Sequence, residues 1–124
     1  MVDDFHGTIE WDNFSANMFQ VFPDREIVDL NPKDLIFHTV SDVNQLVQIP
    51  SIESVRQGVT YEKGGITPHW RGILDDKGRV MVAICFNMDL GDAVEWSDNP
   101  EYPEHYASLA YKILTNYVVY SLTH

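Results

Sequence analysis

Two short stretches of the chain carry most of the side chains that could bind a ligand or take part in catalysis. The first contains Asp4 and His6, and the second, Asn87–Glu95, is rich in carboxylate and amide groups. Carboxylate oxygens and imidazole nitrogens suit Mg²⁺, Mn²⁺ or Zn²⁺. The spacing matches no recognised metal motif, since Asp89-x-x-Asp92 lacks the regular D-x-D-x-D ladder and final glutamate of a calcium loop. A divalent metal cofactor is therefore a hypothesis that rests on residue type alone.

Both stretches follow segments that we interpret as strands. Val80–Phe86 is apolar without alternation and rich in β-branched residues, which predicts a strand buried on both faces. Met1–Val2 we interpret as the last residues of another strand. Ligands of open α/β sheets bind just beyond the carboxyl ends of the strands. If these two strands are parallel neighbours, both polar stretches lie at the same rim of the sheet.

A β-hairpin is predicted where the turn DDKG separates HWRGIL from RVMVAICF. Pairing of Leu74 with Arg79 beside the turn predicts that His69 lies opposite Ile84, close to the second polar stretch. We therefore expect His69 to join the rim. The candidate ligand-binding residues are Asp4, His6, His69, Asn87, Asp89, Asp92 and Glu95, of which Asp89, Asp92 and His69 are the metal candidates. A structural role competes at these positions, because Asp and Asn commonly cap helix N-termini and loop amides.

The remaining elements follow from hydrophobic spacing and from breaker residues. An amphipathic helix is predicted over Trp11–Phe22, then short strands at Glu26–Leu30 and Val59–Glu62. Residues 87–99 are interpreted as a polar loop. The last helix, from Glu104 to Leu122, is apolar almost all round, which is typical of a helix that is deeply buried or covered by a partner.

Length and composition favour a single α/β domain over residues 1–124. With 19 acidic and 8 scattered basic residues the net charge is -11, which disfavours a nucleic-acid partner. No run approaches the roughly 20 apolar residues of a membrane span. The first residues lack the basic start and apolar stretch of a signal peptide. These features predict a cytoplasmic location for the chain as written.

Five stretches of the chain resemble a known family: MVDDFHG, VFPDREIVDL, IFHTV, PHWRGILDDKGRVMVAICFNMDLGDAVEW and LTNYVVYSLTH. They resemble the C-terminal part of the bacterial domain-of-unknown-function family 4159, and NMDLGD-x-x-EW is the most specific part. That family is similar to glutamine amidotransferase-like domains. The resemblance implies an α/β fold with a flavodoxin-like, class I glutamine amidotransferase-like layered sheet, parallel strands and flanking helices.

Relatives of this kind carry a further N-terminal segment. The resemblance therefore implies that N-terminal elements are lacking and that these residues are the C-terminal portion of a larger family domain. A signal peptide would lie in such a segment, so the resemblance keeps a cell-envelope or exported location as the alternative. We expect the chain alone to self-associate or to be marginally stable, because missing strands would uncover backbone edges and apolar faces.

The resemblance carries no reaction, and the only cysteine argues against the amidotransferase mechanism. A nucleophile of that kind sits on a sharp strand-to-helix elbow, whereas Cys85 lies between Ile84 and Phe86 inside an apolar strand. Burial raises the pKa of a thiol and shields it, so we expect Cys85 to be inert. Two functions remain open. One is a non-catalytic binding or assembly module with a second copy or another protein as partner. The alternative is a metal-dependent or acid–base hydrolase that uses the acidic rim.

Overall fold

The computed structural model describes all 124 residues. The helices and strands, in chain order, are α1 (Gly7–Val21), β1 (Ile27–Asp29), a 3-10 turn (Leu35–Phe37), α2 (Ile52–Arg56), β2 (His69–Leu74), β3 (Val80–Phe86), α3 (Leu90–Glu95) and α4 (Glu104–Thr123). The fold is thus a mixture of helices and strands, as the sequence predicts. No helix is both long and apolar enough to cross a lipid bilayer.

The three strands form one antiparallel sheet in the order β1-β2-β3. This arrangement differs from the parallel sheet that the family resemblance implies, because β2 and β3 are joined by a tight hairpin. A single parallel bridge joins Val2 to Ile84 on the other side of β3. There the Val2 N–H donates to Ala83 O at 2.8 Å, and the Cys85 N–H donates to Val2 O at 2.9 Å. Apart from this one bridge β3 is the last strand of the sheet, so the prediction of an interior strand over Val80–Phe86 is met only around Ile84.

The hairpin register differs from the predicted one. His69 lies opposite Phe86, not Ile84, and Leu74 lies opposite Val80, not Arg79. Arg79 belongs to the turn, where its carbonyl accepts the Asp75 N–H at 2.8 Å. An irregularity between Ile73 and Leu74 then shifts the pairing by one further residue. From His69 to Ile73 the total shift is two residues, so residues that share a face of the sheet in the predicted pairing still share one.

Helices cover both faces of β3. Ile84 and Phe86 face α1, and the Phe86 ring lies 4.8 Å from Trp11 and 5.0 Å from Phe5. Cys85, on the opposite face, belongs to the larger core cluster that includes the inner side of α4. Alternation of side chains along a strand explains this division. The polar stretches thus emerge from a sheet held between two helical layers.

Two local predictions need correction. Residues 87–99, interpreted as a loop, contain the short helix α3. Residues 59–62, predicted as a strand, form no strand. The long helix α4 is buried on only one side, and its apolar side chains Tyr111, Val118 and Leu122 are exposed. Of the two expectations for this helix, deep burial is wrong, and cover by a partner stays a prediction.

Candidate functional site

The pairing of Val2 with Ile84 brings the two polar stretches together, and a second bridge joins Phe5 to Met88. Three hydrogen bonds fasten them to each other. The Gly91 N–H donates to Asp3 Oδ2 at 2.9 Å, the Gly7 N–H to Asn87 Oδ1 at 3.0 Å, and the Asn87 N–H to Phe5 O at 3.0 Å. We call the surface formed by residues 3–6 and 87–92 the acidic rim.

Asn87 is the structural centre of the acidic rim. Its side chain accepts from Gly7 N–H and donates from Nδ2 to Thr67 O at 2.7 Å. Its backbone has φ 64°, a left-handed conformation that Asn tolerates better than most residues. Gly65 approaches so closely that a Cβ there would lie 2.0 Å from Asn87 Oδ1. Asn87 therefore serves to hold residues 64–67 against the start of α1.

The carboxylates of Asp89 and Asp92 mainly accept backbone N–H groups at the starts of α3 and α2. Asp89 Oδ1 accepts the Asp92 N–H at 2.8 Å, which caps α3, and Asp92 Oδ2 accepts the Ile52 N–H at 2.9 Å, next to the start of α2. Only 4% of Asp89 is exposed. Burial, with smaller contributions from the carboxylates of Asp4 and Asp92, raises the pKa of Asp89 to about 8.

His69 and Glu95 lie apart from these groups. The His69 ring stacks on Phe86 with 5.9 Å between ring centroids, and its Nδ1 is 3.4 Å from Arg71 Nη2. Burial and the neighbouring Arg71 charge lower the pKa of His69. Glu95 is exposed at the end of α3. The structure does not gather the metal candidates Asp89, Asp92 and His69 into one group of ligand atoms.

One group of metal-ligand type does form, from Asp4, His6 and Glu62, whose ligand atoms all lie within 4.8 Å of one another. His6 Nε2 is 3.2 Å from Asp4 Oδ1 and 3.0 Å from Glu62 Oε2. The imidazole is 96% buried, since only 4% of it is exposed, whereas Asp4 faces the solvent. His6 Nδ1 is buried without a hydrogen-bond partner. We call these three residues the His6 cluster.

The start of α1 positions the His6 cluster. His6 is the residue before the helix, and its backbone N–H donates to Glu10 Oε1 at 3.1 Å. Glu10 in turn pairs with Lys63, the neighbour of Glu62. Gly7 has φ 77°, and a Cβ there would lie 2.6 Å from Lys63 O. This close approach brings the loop that carries Glu62 over His6.

Two residues of the site were missed by sequence reasoning. Glu62 lies in a loop distant in sequence from the rim, and no sequence signal indicates that the close approach of Gly7 to Lys63 brings it to His6. Asp3 was not singled out although it adjoins Asp4. Its Oδ2 accepts the Gly91 N–H, while its Oδ1 is buried without a partner, and burial raises its pKa.

Comparison with known proteins assigns the family. The model of the family described as Domain of unknown function (DUF4159) matches residues 1–122. The chain belongs to the DUF4159 family. No curated protein and no solved structure shows significant similarity to it. Membership therefore brings no reaction, ligand or partner to this DUF4159 chain, and its chemistry has to be argued from its own geometry.

The cysteine of this DUF4159 chain lies within β3, not at an elbow. Cys85 is completely buried, and burial raises the pKa of its thiol. A thiol that is both protonated and shielded is a poor nucleophile. The geometry around Cys85 therefore lacks the arrangement that amidotransferase chemistry requires.

Proposed function

We propose that this DUF4159 chain is a non-catalytic binding module that takes a divalent cation at the His6 cluster. The observation that carries the proposal is the position of His6 Nε2 between two carboxylates, at 3.2 Å from Asp4 and 3.0 Å from Glu62. One Nε2–H cannot compensate two carboxylate charges that lie close together. A cation bound by Nε2 and one oxygen of each carboxylate removes this conflict.

The ligand set indicates which cations to expect. One imidazole nitrogen with two carboxylate oxygens suits Zn²⁺ or Mn²⁺ better than Ca²⁺, which takes oxygen ligands only. Three protein ligands leave coordination positions for water or for a bound molecule. A metal-bound histidine usually donates its second ring N–H to a nearby acceptor. Because His6 Nδ1 has no such partner, we expect weak binding that is lost on dilution.

Thermal unfolding with added cations tests the proposal. Protein stripped with EDTA should melt several degrees higher with Zn²⁺ or Mn²⁺ than without, since a ligand of the folded state stabilises it. Asp4→Asn and Glu62→Gln should abolish the rise while keeping their size and hydrogen-bonding groups. Asp98→Asn, which alters an exposed carboxylate elsewhere, is the matched control and should respond like the parent chain.

Two outcomes would contradict the proposal. One is a melting temperature that no divalent cation changes at millimolar concentration. The other is a rise that Asp4→Asn and Glu62→Gln retain, which would place the cation elsewhere. Calorimetric titration of the same variants with MnCl₂ distinguishes lost binding from altered folding, because it measures the heat of binding to protein whose fold has been verified by circular dichroism.

The alternative function is a hydrolase at the same rim, and one observation favours it. A carboxyl with a pKa of about 8 remains protonated at neutral pH, as a general acid must. Against it, Asp89 is almost fully buried and already caps α3. Cation-dependent turnover of p-nitrophenyl acetate or p-nitrophenyl phosphate, lost in Asp89→Asn, would support the hydrolase. Absence of turnover in cation-loaded protein leaves the binding module as the better function.

We also propose that the architecture is a variant of the flavodoxin-like, amidotransferase-like layered sheet. In support, Val2 runs parallel to β3, and α1 and α4 cover opposite faces of that strand. The strand position of Cys85 agrees with a scaffold that has no amidotransferase nucleophile. An experimental structure of another DUF4159 member tests this. Several strands parallel to β3 would support the proposal, and an entirely antiparallel sheet would contradict it.

A further inference from the structure

One carboxylate outside the His6 cluster, that of Glu10, joins the two chain segments that carry His6 and Glu62. Glu10 Oε1 accepts the His6 backbone N–H at 3.1 Å, and Glu10 Oε2 pairs with the Lys63 ammonium. Lys63 directly follows Glu62 in the chain, so this ion pair fastens the loop that carries Glu62 to the first turn of α1. Glu10 is not itself one of the grouped ligand residues.

The pair of Glu10 with Lys63 is charged and lies near the surface. The hydrogen bond between them lowers the pKa of Glu10 and raises the pKa of Lys63. The exposed fraction is 32% for the Glu10 side chain and 62% for that of Lys63. Ion pairs as exposed as this one contribute little to the stability of a whole domain. We therefore expect the effect of the pair at the site that it orders and not on the fold.

The backbone around the His6 cluster needs restraint of this kind. Three residues other than glycine have positive φ: Asp4 at 58°, Lys63 at 51° and Asn87 at 64°. Asp4 belongs to the cluster, and Lys63 follows another of its members. Strained conformations of this type persist only where neighbouring contacts hold them. Side-chain hydrogen bonds hold Asn87, and the ion pair with Glu10 helps to hold the turn at Lys63.

We infer that Glu10 is a positioning residue of the cation site, which keeps His6 and Glu62 at the separation that a bound cation requires. This inference rests on the function proposed above. Ligands that are held in place before the cation arrives lose less conformational freedom when it binds. Loss of a partner that orients a metal-ligand residue typically lowers metal affinity by about 10–100-fold.

Variants that conserve every charge separate positioning from simple attraction of the cation. Glu10→Asp keeps the carboxylate but is one methylene shorter, too short to bond to both the His6 N–H and the Lys63 ammonium. It should bind Mn²⁺ about tenfold more weakly than the parent chain. The electron paramagnetic resonance signal of free Mn²⁺ measures this binding. Glu104→Asp, in the first turn of α4, is the matched control and should bind like the parent chain.

Rescue by a longer side chain is the readout that a purely structural role would not give. Lys63→Arg, combined with Glu10→Asp, should restore most of the lost affinity, because the longer cation reaches the shortened carboxylate. If Glu10 only capped the start of α1, a change at position 63 would recover nothing. Circular dichroism should be the same for all variants, since an acidic residue near the start of a helix is favourable in either length.

The outcomes distinguish this inference from the proposed function. Parent-like affinity in folded Glu10→Asp overturns the inference and leaves the cation site in place. A folded double variant that binds as weakly as Glu10→Asp alone also overturns it. A free Mn²⁺ signal that the parent chain does not reduce overturns the proposed function, and this inference with it.

Discussion

Asp89 combines a favourable hydrogen bond with an unfavourable charge. Its Oδ1 accepts the Asp92 N–H, which stabilises the start of α3. The same carboxyl is buried beside other carboxylates, and its pKa is accordingly raised to about 8. An asparagine side chain would keep the acceptor and remove the charge, because Asn caps helices about as well as Asp.

We predict that Asp89→Asn stabilises the fold at pH 8 and changes it little at pH 4. An unfolded aspartate has a pKa near 3.9, so folded Asp89 holds its proton where the unfolded chain has lost it. This contribution to stability is complete below about pH 4 and is lost as the pH rises to about 8. The gain at pH 8 should be of the order of 1–3 kcal/mol, measured by urea unfolding in EDTA.

Asp89→Ala is the comparison that separates the two effects, because it removes the charge and the cap together. It should be less stable than Asp89→Asn by about 1 kcal/mol at every pH. A difference between Asp89→Asn and the wild type that does not vary between pH 4 and pH 8 would show that the carboxyl has an ordinary pKa.

The elements recovered from the sequence are those with a strong hydrophobic pattern. β3 was found because its apolar run has no alternation, and α4 because its apolar residues recur over many turns. In contrast, α3 has only 6 residues, too few to establish a helical period, and it begins inside a polar stretch. The predicted hairpin register is wrong because Arg79 belongs to the turn and because the irregularity between Ile73 and Leu74 leaves no sequence signal.

Part of the arrangement of the candidate site is predictable from the sequence, whereas binding of a ligand there stays a prediction. The common rim requires that the two strands run parallel, and the parallel Val2–Ile84 bridge brings Asp4, His6 and Asn87 to one rim. Glu62 could not be found, because it reaches His6 through a loop whose path depends on glycine contacts. Such contacts involve residues distant in sequence, and neither periodicity nor spacing reports them.

At the level of elements, Asn87 joins the start of α1 to the loop before β2. We predict that Asn87→Ala destabilises the fold by about 2–4 kcal/mol, since it removes hydrogen bonds to Gly7 and Thr67 and places alanine at positive φ. Hydrogen exchange should accelerate at the Gly7 amide and across residues 60–68. Asn17→Ala, in an exposed turn of α1, should leave that exchange unchanged. Asn87→Gly relieves the backbone strain only, so if it restored wild-type stability, the side-chain bonds would be unimportant.

On the scale of the whole molecule, β3 lies between two helical layers, and its cysteine is accessible only when those layers separate. Cys85 is completely buried within the larger core cluster, and burial raises the pKa of its thiol. Its reaction with a thiol reagent therefore reports opening of the entire domain and not of one loop.

We predict that native protein resists 5,5′-dithiobis(2-nitrobenzoic acid) and that urea exposes Cys85 together with the loss of helical circular dichroism. The free energy of opening obtained from labelling should equal the free energy of unfolding, because the Cys85 side chain lies in the main core together with residues of α4. Rapid stoichiometric labelling of the folded chain would show that Cys85 is reachable through local motion.

The acidic rim also has a consequence for the order in which this chain folds. The contacts that build it join residues 80 to 88 positions apart, as in Gly7 with Asn87 and Asp3 with Gly91. Closing a loop of that length costs chain entropy before any contact repays it, so such contacts form slowly. During synthesis, residues 3–7 have no partner for these contacts until β3 and α3 have left the ribosome. The His6 cluster contains residues of the same early stretch, so we expect its three side chains to come together only in chains that have made these distant contacts.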